Sequence, residues 1–253
     1  MIVIMGRLSH WNNVPMHSYW NVVPDMSRKT MTPRTERRAD ALSKDRIVEA
    51  AIAILDADGE AALTFRALAA RLSTGAGAIY WHVADKNDLL AAAAGAIVAE
   101  VVTRTAGDAE PRAAIRALAL GVFDAVDAHP WVGAQFFRDP SRPAALQILE
   151  GIGQRLEILG VPETAQFDTA TALVSYILGV AGQNAANARQ ARESGRTDRS
   201  AFLGGVADRW AALDPQAHPF VRRMAAYLRD HDDRAQFLAG VDLILAGAAP
   251  PIG

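Results

Sequence analysis

LTFRALAARLSTGAGAIYWHVADKNDLL, residues Leu63 to Leu90, is the stretch that decides the fold. Within it Phe65, Leu68, Ala69 and Leu72 lie at helical spacing behind Thr64, a residue suited to an N-cap. Ser73, Thr74 and Gly75 predict a tight turn, and a second stripe of Ala76, Ile79, Tyr80 and Val83 starts at once. Two short helices joined by a turn of three or four residues that contains glycine read as a helix-turn-helix. Upstream, Ile47, Ala50, Ala51, Ile54 and Leu55 form one further buried stripe. Ser43 is placed to cap its start, and Gly59 to close it in the left-handed conformation.

The surrounding chain narrows the class. Its 253 residues are 51% apolar and 21% charged, a composition that folds. No unbroken apolar run approaches the ~20 residues of a membrane span, so no membrane partner is expected. With no cysteine, the chain has no disulfide, thiolate metal site or cysteine nucleophile, and a cytoplasmic location is expected. Net charge is only -2, yet residues 26 to 46 carry seven cations against three anions, so a segment of +4 is offset by -6 elsewhere. Such a block is either a solvated tail or an arm able to pin phosphates. Residues 1 to 25 show neither helical nor strand periodicity, and residues 1–42 are expected to form a disordered or basic arm.

Beyond Asp85 the chain is rich in alanine, a strong helix former. Proline and glycine clusters at Gly107 to Pro111, His129 and Pro130, Asp139 to Pro143, Gly160 to Pro162 and Asp214 to Pro219 divide it into six or seven helices. No strand pattern is present, and the predicted class is all-α. The chain thus divides into a three-helix unit with a helix-turn-helix over residues 43–90 and a further helical part over residues 91–253.

A helix seated in a major groove presents its N-terminal and exposed side chains to base edges and phosphates. Tyr80, Trp81 and His82 are consecutive, and at ~100° per residue they cannot all face one core. At least one is exposed, with a ring donor able to reach a phosphate oxygen. Intradomain packing is the competing reading for Tyr80 and, more so, for Trp81; His82 alone reads as an ordinary structural histidine. Lys86, just past the helix end, adds a cation where a DNA backbone would pass.

With these residues the stretch Leu63 to Leu90 strongly resembles the DNA-binding domain of the TetR family of bacterial transcriptional regulators, and RIVEAAIAILDADGEAALT, Arg46 to Thr64, agrees with the same pattern. The YWHV tetrapeptide, Tyr80 to Val83, is its most specific part. The resemblance implies that residues 43–90 bind DNA and residues 91–253 bind an effector and dimerise, so that a homodimer holds an inverted-repeat operator in double-stranded DNA until a small-molecule effector releases it, as a repressor more than an activator. It implies that Arg66 contacts base or phosphate, that Tyr80, Trp81, His82 and Lys86 hold phosphates, and that Thr64 bonds the backbone from its capping position. Thr74, Gly75, Ala76, Gly77 and Ala78 complete the expected DNA-facing set. The last four depart from the family's habit of base-reading side chains at the head of the recognition helix: they offer methyls and close approach but no bidentate hydrogen bonds.

In the remainder the likeness is looser, resting on His129 to Trp131, Gly179 to Gly182 and FLAGVDLILAG, Phe237 to Gly247. Val174, Leu178, Ala181, Ala185 and Ala188 make a small-residue stripe, and Phe237, Val241, Ile244, Leu245 and Ala248 another. Such stripes build a four-helix interface across a two-fold axis or bury within one chain. Phe123, Trp131, Phe136, Phe137 and Tyr176 are candidate walls of an apolar or aromatic ligand pocket, with core packing the alternative. Asn184 continues an apolar row with an amide and is a ligand contact, an inter-subunit bond or a surface residue. The six histidines include no Glu-x-x-His pair and no His-Glu-x-x-His motif, and no Gly-x-Gly-x-x-Gly, P-loop or Gly-x-Ser-x-Gly is present. No catalytic residue, metal or cofactor is therefore expected. A helical small-molecule binder or enzyme with a degenerate DNA-binding domain is the alternative, and a helical interaction protein a third.

Overall fold

Ser43 and Thr64 open helices because their hydroxyls reach back to amides that no earlier turn can satisfy: Ser43 Oγ accepts from Arg46 N at 3.2 Å and Thr64 Oγ1 from Ala67 N at 3.1 Å. In the computed structural model, which describes residues 42–107, 110–136, 139, 141–193, 195 and 198–248, these caps start α1 (Lys44–Asp58) and α2 (Phe65–Arg71). Gly59 closes α1 at φ +77°, a value that suits only a residue without Cβ. Next come α3 (Ala76–Tyr80) and α4 (Lys86–Arg104), the latter capped by Asp85, whose carboxylate accepts from Asp88 N at 2.9 Å. The remaining helices are α5 (Pro111–Ala128), α6 (Pro130–Phe136), α7 (Pro143–Ile158), α8 (Glu163–Glu193), α9 (Arg199–Ala211), α10 (Pro219–Arg229) and α11 (Asp233–Gly247). No strand occurs among the described residues.

After Asp85 the described chain thus forms eight helices rather than six or seven. The extra breaks, at Gly195 with φ +66° and at Asp230 to Asp232, contain no proline. The tight turn expected at Ser73, Thr74 and Gly75 joins α2 to α3. Gly75 is the N-cap of α3 at φ -84°, which any residue can adopt, and the left-handed residue is Ser73 at φ +51°. Amides of Ser73 and Thr74 bond back to Ala70 O and Ala69 O, and this overrides the side-chain preference. Of the arm predicted over residues 1–42, residues 1–41 lie outside the described residues, as does Phe137.

Two apolar cores sit at either end of α4. Ile47, Ala51, Ile54, Leu55, Leu63, Leu68, Ile79 and Val83 close around its first turns, at Leu89, Leu90 and Ala93. Further along, Ala94, Ile97, Val98 and Val101 enter the larger core, formed by α5 to α8 and α11. Ile52 and Trp131 pack against both cores. In α8, Leu173, Ile177, Leu178, Ala181 and Ala185 face the larger core, as Phe237, Val241 and Leu245 do in α11.

These contacts decide between the two readings of the small-residue stripes, because Leu178, Ala181, Ala185, Phe237, Val241 and Leu245 are buried within the chain itself. On an alanine-rich helix several faces are small enough to read as an interface, and the position of α5 and α11 against α8 selects the inward one. Helices α9 and α10 pack chiefly on each other, with Ala207 and Ala225 their buried residues, while Phe220 and Tyr227 remain exposed.

Candidate nucleic-acid interface and effector cavity

The short helix α3 buries Ile79 completely and leaves Gly77, Tyr80 and Trp81 exposed. Positions 77, 80 and 81 share one face because they are three and four residues apart. Tyr80 is 56% exposed and stacks flat on Phe65 of α2, with ring centroids 4.3 Å apart. Trp81 is 90% exposed and projects from the helix end. This reverses the expected order of packing between the two rings: Tyr80 has the intradomain partner and Trp81 is the more available to a ligand. The stack also explains why the pair α2 and α3 holds its angle despite a recognition helix of five residues, and Phe65 was legible only as a stripe residue. His82 is half-buried, and its amide donates to Ile79 O at 2.9 Å.

Arg66, on the first turn of α2, is exposed and makes no hydrogen bond or ion pair among the described residues. Lys86 does not trail the third helix but opens α4, and its Nζ donates to Glu60 O at 2.6 Å. That bond ties α4 to the loop after α1 and occupies one of three ammonium protons, leaving the others for an outside acceptor. Thr64 is exposed and engaged as a cap, while Thr74, Ala76 and Ala78 are half-buried around exposed Gly75. The structure therefore brings an arginine, two rings and the small residues of α3 to one end of the molecule, with no acidic residue on α2 or α3.

The expected ring-lined pocket is mostly filled core. Phe123 packs on Phe237 at a centroid distance of 4.8 Å, and Tyr176 stacks on the same ring at 5.7 Å. Burial raises the pKa of the Tyr176 hydroxyl, which donates to Phe237 O at 3.2 Å. Trp131 turns to α1, where its Nε1 donates to Asp56 Oδ1 at 2.8 Å. Asn184 Nδ2 donates to Asp127 Oδ1 of α5 at 3.3 Å. A cavity of about 280 Å³ lies instead between α4, α6 and the start of α7. Ala91 and Ala94 give it a smooth wall, Phe136 an aromatic one, and Gln135, Asp139 and Arg142 a polar side. Arg142 reaches Asp88 on the first turn of α4 at 3.1 Å and Asp139 at 3.3 Å. The hydroxyl and amide of Ser141 hold the Asp139 carboxyl below its usual range. Sequence spacing did not reveal this cavity because its walls come from three helices and a loop distant in the chain.

Among the described residues no cluster of His, Asp and Glu is placed to hold a metal ion, and no helix is long and apolar enough to cross a membrane.

Comparison with known proteins agrees with this layout. Residues 47–93 match the family profile described as bacterial regulatory proteins, tetR family, and residues 106–250 match the tetracyclin repressor-like C-terminal domain. The solved structure of SCO7222, a TetR transcriptional regulator from Streptomyces coelicolor, is 48% identical, covers 82% of this chain and 98% of its own, and superposes with a TM-score of 0.75. An HTH-type transcriptional regulator of Saccharopolyspora erythraea is 31% identical over 58% of this chain. The HTH-type transcriptional repressor DrrR1 of Streptomyces coeruleorubidus is 29% identical over 62% of it. The match spans 62% and 59% of the length of those two curated relatives.

Proposed function

The chain belongs to the TetR family of bacterial regulatory proteins, and from that premise we propose that it is a dimeric transcriptional repressor released from its operator by a small molecule. The observation that carries the DNA-binding part is the pairing of exposed Trp81 and half-shielded Tyr80 with unpaired Arg66 at one end of the fold. Ring donors and Lys86 serve phosphate oxygens and position the protein, while Arg66 is a long donor able to reach base edges. Repression rather than activation is favoured by the name of DrrR1. A regulator rather than an enzyme is favoured by the relatives, which are HTH-type transcriptional regulators, and the cytoplasm, where the DNA is, is the site of action.

The effector site is the cavity between α4, α6 and α7. Its volume stands near the low end of the ~300–1,000 Å³ of small-molecule sites, which suits a compact ligand with a polar group for Gln135, Asp139 or Arg142. Both α4 and α6 continue from the cavity to the DNA-binding core, so a ligand that moves either shifts the equilibrium between two placements of α3. The dimer face lies on the outward sides of α8 and α11. Ala172, Ser175, Gly179 and Ala186 form an exposed row of small residues on α8 beside Gln183, and Ala239 and Ala246 flank exposed Leu243 on α11.

A gel-shift series from low to moderate salt on an inverted-repeat site, found by mapping the DNA the protein occupies in cells, tests the reading. Affinity should fall at least about tenfold over that range, since phosphate contacts release counterions. Arg66→Ala should relax discrimination at one position in each half-site, whereas Lys86→Ala should weaken all sequences alike. Salt-insensitive binding, or no preference over random DNA, counts against a regulator.

A further inference from the structure

The DNA-binding core and the body both pack on α4, so the angle between them rests on that shared helix and on any contact away from its axis. An off-axis contact has the greater leverage against rotation about α4. The described residues supply one between the last turn of α1 and the start of α6. Asp56 Oδ1 accepts from Trp131 Nε1 at 2.8 Å and lies 2.8 Å from His129 Nδ1. An ionised carboxylate only accepts, so Nδ1 is the protonated nitrogen of His129 in this arrangement. The two rings meet edge-on with centroids 6.3 Å apart, and the Asp56 side chain is two-thirds shielded. Beneath the polar contact, Ile52 on the preceding turn of α1 and the Trp131 ring pack against both cores. The other tie, from Arg142 to Asp88, is made to α4 itself and exerts little leverage on rotation about it.

In a two-fold dimer any rotation of one DNA-binding core about α4 is repeated by its partner, so the two recognition helices move apart or together by twice the displacement of one. Half-sites read from successive major grooves are ~34 Å apart, and a change of one base pair moves them by a tenth of that. Resting on the reading of the chain as a dimeric DNA-binding regulator, we propose that Asp56, clamped by His129 and Trp131, is a positioning residue that sets which half-site spacing the protein accepts. It acts through α1 and not by touching DNA, which distinguishes it from Arg66 and Lys86.

The test uses the full chain and a DNA library in which the two half-sites are separated by spacers that differ in steps of one base pair. Wild-type protein should prefer one spacer over its neighbours by about tenfold or more, the scale of a single mismatch. Asp56→Ala places a good helix former in the last turn of α1 and removes both bonds. Trp131→Phe keeps an aromatic ring at the position and removes the Nε1 donor together with part of the indole's packing surface. Both variants should accept neighbouring spacers with little preference while selecting the same bases within each half-site. If the folded variants, checked by circular dichroism melting, keep the wild-type spacer preference, the proposal is overturned. A uniform loss of affinity with the preference intact overturns it equally, since that is the result of a merely structural contact. If wild-type protein selects single half-sites with no preferred pairing, the dimeric reading itself fails, and that outcome is visible before any variant is made.

Discussion

Tyr80 and Trp81 are adjacent, yet one stacks on Phe65 and the other projects. The step of ~100° between helical residues required at least one of Tyr80, Trp81 and His82 to be exposed but could not say which, because the choice depends on where α2 lies. Gly240 teaches the same lesson in the other direction. Nothing in FLAGVDLILAG marks it from its neighbours, but a Cβ there would overlap the hydroxyl and ring of Tyr176. Tyr176 cannot swing aside freely, since it stacks on Phe237 and bonds to its carbonyl. Gly240→Ala should therefore destabilise the protein by about 1–3 kcal/mol, the usual range for overpacking. Urea unfolding measures it, and the same change in a Tyr176→Leu background should cost far less. Equal costs in the two backgrounds would place the strain elsewhere.

At the scale of helices, the caps were the most legible part of the sequence, because a cap needs only its own side chain and amides two or three residues on. Ser43, Gly59 and Thr64 behave as their types predict. Turns held by backbone bonds alone, such as that at Ser73, carry no such mark. The caps also give the fold an acid limit. Glu110 accepts from Arg112 N and Ala113 N, and Asp232 from Ala235 N and Arg234 N, and these bonds hold both carboxyls below their ordinary values. A depressed folded-state pKa stabilises above the unfolded value, about 4 for a carboxyl, and that contribution is lost as pH falls through the folded value. Asp232→Asn should thus be less stable than wild type at neutral pH, and the gap should close below the carboxylate range. Denaturant unfolding across pH checks this; a gap independent of pH would mean that the carboxylate charge contributes nothing at α11.

For the whole molecule, class and order of parts were readable from punctuation and periodicity, while the inward faces were not. The stripe from Val174 to Ala188 was open between an interface and the chain's own interior, and it faces the interior at Leu178, Ala181 and Ala185, since periodicity gives a direction around a helix axis but no neighbour. With that face taken by the core, Leu243, 75% exposed on α11, becomes the test of assembly. Leu243→Glu should shift sedimentation from dimer toward monomer and reduce operator affinity with it, because two half-sites are bound as one unit only while the chains stay together. A dimer of unchanged strength would move the interface off α11.

The recognition helix begins with residues that say almost nothing. Gly75 and Gly77 have ordinary negative φ or helical geometry, and a Cβ at either would meet no atom within 4 Å. New side chains can therefore be written there without repacking the domain that carries them. A reader with a blank head has room to acquire a different alphabet: Asn or Gln would add preference for adenine, and Arg or Lys for guanine. Duplicated copies of such a gene could diverge in the promoters they attend to while the cavity, the clamp and the cores stayed as they are.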